Sequence, residues 1–196
     1  PHVALGTFPF GGPFAVPAPR HAGVFANYEP IFAPSFNEAN ISDKPHAIQS
    51  LPPLSNTWIN KIKTWQRLRL ESLLSVDEGI GLIIKTLDRK GLLANTVIVF
   101  TSDNGWEEGQ HRITAGKDTP YDESLHTPLF IRGPGIPKGR VISSPLVVNV
   151  DYAPTIVDLA NATPGRVMDG RSLLPLIQNP TLPWRHSFLI ENLRGL

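Results

Sequence analysis

Thr96-Val97-Ile98-Val99-Phe100-Thr101-Ser102-Asp103-Asn104-Gly105 runs from a β-branched apolar stretch directly into an acid, an amide and a glycine. A buried parallel strand reads as a continuous apolar run, and an α/β protein places its chemistry at the end of such a strand. The pattern predicts a strand over Thr96–Thr101, with Asp103 and Asn104 on the turn that follows. Both side chains carry oxygen, the donor that suits a hard cation such as calcium or magnesium. Twelve residues beyond Gly105 stands Lys117, preceded by Gly116. An anion bound to such a cation would meet that ammonium from the other side. The competing reading is an ordinary tight turn, which Asp, Asn and Gly all favour, followed by a solvated loop lysine.

Upstream, Leu73, Val76, Ile80, Ile83, Ile84 and Leu87 recur at a 3.6-residue period. They predict a helix from about Trp58 to Leu93, with Gly91 as its C-terminal glycine. Downstream, Pro128-Leu129-Phe130-Ile131 reads as a short strand stopped by Gly133-Pro134-Gly135. Leu146-Val147-Val148-Asn149-Val150 reads as another, with Asp151 as the N-cap of a helix carrying Ile156, Val157 and Leu159. A weak helix over Ser172–Gln178 and an apolar run over Ser187–Ile190 close the chain. Helix and strand alternate, so the expected class is α/β with a mainly parallel sheet. Residues 1–57, rich in Pro, Gly, Phe and Ala, form a loop-rich segment. Residues 58–196 form the α/β portion of the same domain and carry the metal-site strand.

The 196 residues are 41% hydrophobic and 18% charged, a globular composition with enough length for a substantial core. A formal net charge of +1 gives no electrostatic case for nucleic acid or an anionic membrane. No apolar stretch is long enough to span a bilayer. Without cysteine there is no disulfide framework, thiolate metal site or cysteine nucleophile. The chain opens at Pro1 within loop-like sequence, which suggests a piece of a longer polypeptide. Sequons at Asn40 and Asn161 fit a secreted or lysosomal protein.

His111, within Gly109-Gln110-His111-Arg112, reads as a proton donor, a substrate contact or a plain loop histidine. His126, within Ser124-Leu125-His126-Thr127-Pro128, has the same alternatives, and nothing local supports a role for His2. Glu107, Glu108, Asp122 and Glu123 read as solvated faces, not as an acid/base pair. Trp65, Arg67 and Arg69 fit an amphipathic helix, not a nucleic-acid patch. There is no GxSxG elbow, P-loop or HExxH.

Several of these segments together resemble the later part of the type I sulfatase catalytic domain. They are Thr101-Ser102-Asp103-Asn104-Gly105, Gly109-Gln110-His111, Gly116-Lys117, Tyr121-Asp122-Glu123-Ser124 and Thr127–Gly135. Pro34–Glu38 and Ser42–Pro45 are similar to the branch of N-acetylglucosamine-6-sulfatases and of fungal or bacterial arylsulfatases. Val76–Gly81, Asp151–Thr155 and Asp169–Leu173 fit the same family.

The resemblance implies an alkaline-phosphatase-type α/β/α sandwich, incomplete here. It implies a calcium ion held by Asp103, Asn104 and two acids near the enzyme's N-terminus. It places Lys117 on the sulfate and likens His2 to a sulfate-contacting histidine. His111 is carried as a candidate catalytic histidine. His126 is carried as a candidate substrate contact, at a position where many relatives have arginine. The family nucleophile is a formylglycine made from Cys or Ser in a C/S-x-P-S/A-R motif, which these residues lack. The expected partners are therefore a sulfate ester, possibly on a glycan, and an N-terminal half of the same domain that supplies the nucleophile. Alone, this chain is expected to be inactive. Related phosphatases and phosphonate hydrolases often carry Asp-His where Asp103-Asn104 stand, and an amide oxygen favours a calcium-like ion. A phospho- or phosphonate-ester hydrolase and a non-catalytic fragment that binds sulfated glycans are the alternatives.

Overall fold

Ser55 starts the longest element of the chain. Its side chain accepts the Trp58 amide at 3.4 Å and caps helix α2, Asn56–Arg89, after the short helix α1, His46–Gln49. A computed structural model describes residues 15–191, so His2 lies outside the described residues. At the other end of α2, Gly91 takes φ 68°. Its amide reaches Asp88 O at 2.8 Å and the next amide reaches Leu87 O at 2.9 Å. Those two bonds satisfy carbonyls that the last turn would leave open.

The chain forms two compact units. Among the described residues, the first covers 15–93 and 101–129, and the second covers 94–100 and 130–191. The core of the first is Leu54, Ile62 and Trp65, with Phe32, Phe36, Trp58, Ile59 and Ala115 packed against it. Each large apolar side chain buried this way stabilises the fold by about 1.5–3 kcal/mol. The predicted stripe on α2 is helical, but it is not the buried face. Leu73 and Ile83 are exposed, while Glu71, Ser72 and Ser75 are buried. Periodicity marks a face able to pack; burial depends on what packs there.

The expected mainly parallel sheet is not what these residues form. Strands β1, Ile98–Thr101, and β2, Leu129–Arg132, make one two-stranded sheet. The rings of Phe100 and Phe130 lie 6.1 Å apart. Gly133, just past the end of β2, lies against Val97, just before the start of β1, with a Cβ position 2.8 Å from Val97 Cα. That register is antiparallel. A parallel pair needs a long crossover, usually a helix. The segment between these strands holds only the single turn α3, Asp122–Leu125.

In the second unit, Leu146–Val148 form no strand. The carbonyl of Leu146 accepts Trp184 Nε1 at 2.7 Å instead. Helix α4, Tyr152–Leu159, follows Asp151 as predicted, and α5 spans Leu174–Gln178. Asp151 is the N-cap residue of α4, but its side chain makes no cap bond to that helix. Its fully buried carboxylate accepts the amides of Val148 at 3.0 Å and Arg171 at 2.9 Å. Both of its oxygens also bind the Arg185 guanidinium. Thr155 Oγ1 accepts the Leu173 amide at 2.9 Å, joining α4 to the buried Leu173, Leu176 and Ile177.

Candidate functional site

Asp103, Asn104 and Lys117 come together at the surface of the first unit. Past β1, Ser102 Oγ donates to Asn104 O at 2.9 Å and tightens the turn. Asn104 Nδ2 donates to Gly105 O at 2.7 Å, which turns Oδ1 outward. Lys117 Nζ donates to that Oδ1 at 2.8 Å and lies 4.0 Å from Asp103 Oδ2. The Asp103 side chain is 84% exposed and that of Lys117 44%, so both can meet a ligand from solvent.

Backbone pairing brings Lys117 back to Asn104. The amide of Glu107 donates to Gly116 O at 2.8 Å, and the amide of Gly116 donates to Glu107 O at 3.2 Å. Ala115 rests on the Leu54–Ile62–Trp65 core. Arg112 fastens the loop tip, donating to the carbonyls of Glu38 at 3.0 Å, Leu51 at 3.0 Å and Ala39 at 2.8 Å. Gly105 closes the turn by donating to Ser124 O at 2.8 Å. A Cβ at Gly105 would stand 2.0 Å from Glu123 O, far inside van der Waals contact. Gly105→Ala therefore lowers stability by about 1–3 kcal/mol through overpacking, read as a lower midpoint in denaturant unfolding. An unchanged midpoint contradicts this close approach.

His111 is buried, with Nδ1 2.8 Å from Glu38 Oε2 and Nε2 3.8 Å from Glu123 Oε2. Its ring packs on Tyr121 at 4.1 Å. His126 caps the end of α3 and is exposed. Among the described residues, no hydrogen bond or ion pair ties either ring to Asp103, Asn104 or Lys117.

Two acids read as solvated from the sequence are in fact buried. Glu107 is 0% exposed and Glu108 1% exposed. Two adjacent acids in a polar loop give no signal of burial, because Trp106 and Gly109 beside them suit a surface turn equally well. Glu108 pairs with Arg69 of α2 at 2.6 Å. Burial pushes its carboxyl up to about 7, against the opposing pull of Arg69. Its folded value exceeds the unfolded value of about 4.3. The proton-linked stability is therefore complete below about pH 4.3 and is lost as pH rises through the folded value. Glu108→Gln removes this contribution, so melting temperatures of wild type and variant diverge between pH 5 and 8. Parallel pH profiles would exclude it.

Asp103 and Asn104 fit a hard cation by donor chemistry, as two of the six to eight oxygens calcium takes. Among the described residues, no cluster of three or more His, Cys, Asp or Glu could hold a metal. The remaining ligands of any calcium at this turn would have to come from elsewhere.

The sequence model of the Sulfatase family matches residues 20–162. Over 153 residues the chain is 42% identical to an arylsulfatase of Volvox carteri, covering 75% of this chain and 24% of that protein. Over 179 residues it is 38% identical to the N-acetylglucosamine-6-sulfatase of Homo sapiens, covering 89% of this chain and 32% of that protein. The chain thus spans about a quarter to a third of the length of these curated relatives. One similar solved structure is a complex with its substrate D-glucosamine-2-N,6-O-disulfate. It has a TM-score of 0.68 and 26% identity, and the match covers 87% of this chain and 47% of that one. Another is a phosphonate monoester hydrolase from Silicibacter pomeroyi, with a TM-score of 0.59 and 32% identity, covering 87% of this chain and 32% of that one. With the family model spanning most of the chain, and the motif around Asp103-Asn104 and Lys117 inside the matched stretch, this chain belongs to the sulfatase family.

Proposed function

We propose that the protein containing this chain hydrolyses sulfate esters, with sulfated sugars as the substrate class. The observation that carries this reading is the convergence of Lys117 Nζ on Asn104 Oδ1 at 2.8 Å and on Asp103 Oδ2 at 4.0 Å. Oxygen donors and an ammonium at one exposed point suit a cation and the oxyanion bound to it. The sugar assignment draws on the human relative's name and on the disulfated glucosamine bound in the similar structure.

In this reading Asp103 and Asn104 hold calcium, which when bound supplies Lewis-acid polarisation of a sulfate oxygen. Lys117 binds the sulfate and balances negative charge that builds as the ester bond breaks. The nucleophile is a formylglycine borne by sequence outside these residues, and without it the chain performs no covalent step. His126 is the exposed candidate for contact with the sugar. His111 is enclosed between Glu38 and Glu123, which suits holding the loop better than protonating a leaving group. A secreted or lysosomal setting accords with the exposed asparagines of both sequons, Asn40 and Asn161. Among the described residues, no helix is long and apolar enough to cross a membrane.

Because one similar structure is a phosphonate monoester hydrolase, the test compares esters. The full-length gene product is assayed with matched aryl sulfate and aryl phosphate. A higher kcat/KM for the sulfate is expected; a clear phosphate preference overturns the reading.

A further inference from the structure

Glu107 is a fully buried acid that the proposed chemistry does not use. Burying a carboxyl is costly, and an apolar side chain would pack at lower cost. Oε1 accepts the hydroxyl of Thr119, while Oε2 is buried with no hydrogen-bond partner among the described residues. Burial raises its carboxyl above the usual range, against the Thr119 bond, which lowers it.

The placement of these contacts explains what the acid is for. The main chain of Glu107 is paired in both directions with Gly116, the residue before Lys117. Its side chain holds Thr119, two residues after Lys117. Thr119 Oγ1 lies 3.4 Å from Ser124 Oγ, and the carbonyl of Ser124 accepts the Gly105 amide at 2.8 Å. Gly105 O in turn holds the Asn104 amide group at 2.7 Å. One buried residue therefore grips the lysine segment on both sides of Lys117. The same set of contacts runs back to the turn that aims Asn104. The Lys117 side chain is long and 44% exposed, so beyond its bond to Asn104 Oδ1 its direction depends on this backbone.

We propose that Glu107 is a positioning residue for Lys117, acting through Gly116 and Thr119 to hold the ammonium where a sulfate group binds. The inference rests on the reading that Lys117 binds the sulfate. Displacement of a binding group by about 1 Å is enough to cost a large factor in rate or affinity.

The test uses the full-length gene product, with inorganic sulfate as competitive inhibitor and a sulfate ester as substrate. Glu107→Leu and Thr119→Val each cut the side-chain link and raise both the sulfate Ki and the ester KM by about tenfold. Glu107→Gln and Thr119→Ser keep an acceptor and a donor, and restore wild-type values. Melting temperature separates positioning from general damage: Thr119→Val shifts Ki with little change in melting temperature. Should Glu107→Leu fail to fold, the near-isosteric Thr119→Val with its Thr119→Ser rescue decides alone. If Lys117→Ala raises Ki while Thr119→Val and any folded Glu107→Leu leave it unchanged, the positioning role is overturned. If Lys117→Ala also leaves Ki unchanged, the sulfate-binding reading of the lysine itself is wrong, and the inference falls with it.

Discussion

Lys117→Ala in the full-length protein lowers kcat/KM for a sulfate ester by about 10²–10³-fold, the loss typical of removing one preorganised group that meets developing charge. Lys117 Nζ stands 2.8 Å from Asn104 Oδ1 and 4.0 Å from Asp103 Oδ2, so the substitution deletes the positive charge of this cluster. On the proposed role of Lys117 at the sulfate, a larger part of the loss falls on kcat than on KM, because such an interaction strengthens as charge builds on the anion. Lys117→Arg recovers little, since a planar guanidinium cannot take the place of a compact ammonium at the same oxygen. Lys138→Ala, an exposed lysine of the second unit, serves as the charge control and leaves the rate unchanged. A loss below about threefold for Lys117→Ala would remove the lysine from the chemistry.

Asp151→Ala lowers the stability of the second unit by about 3–5 kcal/mol, the usual cost of leaving one member of a buried ion pair without its partner. The Asp151 side chain is 0% exposed and that of Arg185 only 14%. The substitution also strands the amides of Val148 and Arg171. Arg185→Met restores part of the loss in the Asp151→Ala background, because it withdraws the unpaired charge. A double-mutant cycle in denaturant measures that coupling. Burial opposes ionisation of Asp151, but Arg185 and the two amides outweigh it, and the carboxyl sits below the usual range. A depressed folded value means that the contribution is complete above about pH 4 and is lost as pH falls through the folded value. Wild type therefore loses more stability than the double variant on acidification, and equal acid sensitivity would contradict the pairing.

Several features were readable along the chain because they depend on near neighbours. The 3.6-residue period and Gly91 marked α2 and its end, and the apolar run before Asp103 marked β1. Turn chemistry around Asp103-Asn104-Gly105 placed both oxygens at the end of that strand. The motif order carried the family, which the match over residues 20–162 bears out.

Other features needed the folded chain, because they depend on partners far apart in sequence. Strand direction was one: the apolar runs of β1 and β2 carry no mark of orientation, and their antiparallel register is set by how the 102–128 segment returns. Burial of Glu107, Glu108 and Asp151 was another. An acid is drawn inside only where a partner such as Thr119, Arg69 or Arg185 offsets its lost hydration, and those partners lie 12, 39 and 34 residues away. Residue order thus pointed to Asp103, Asn104 and Lys117 as the groups proposed to meet a cation and an anion. Whether Lys117 would stand beside Asn104 depended on long-range contacts that return the loop on itself over the core beneath Ala115.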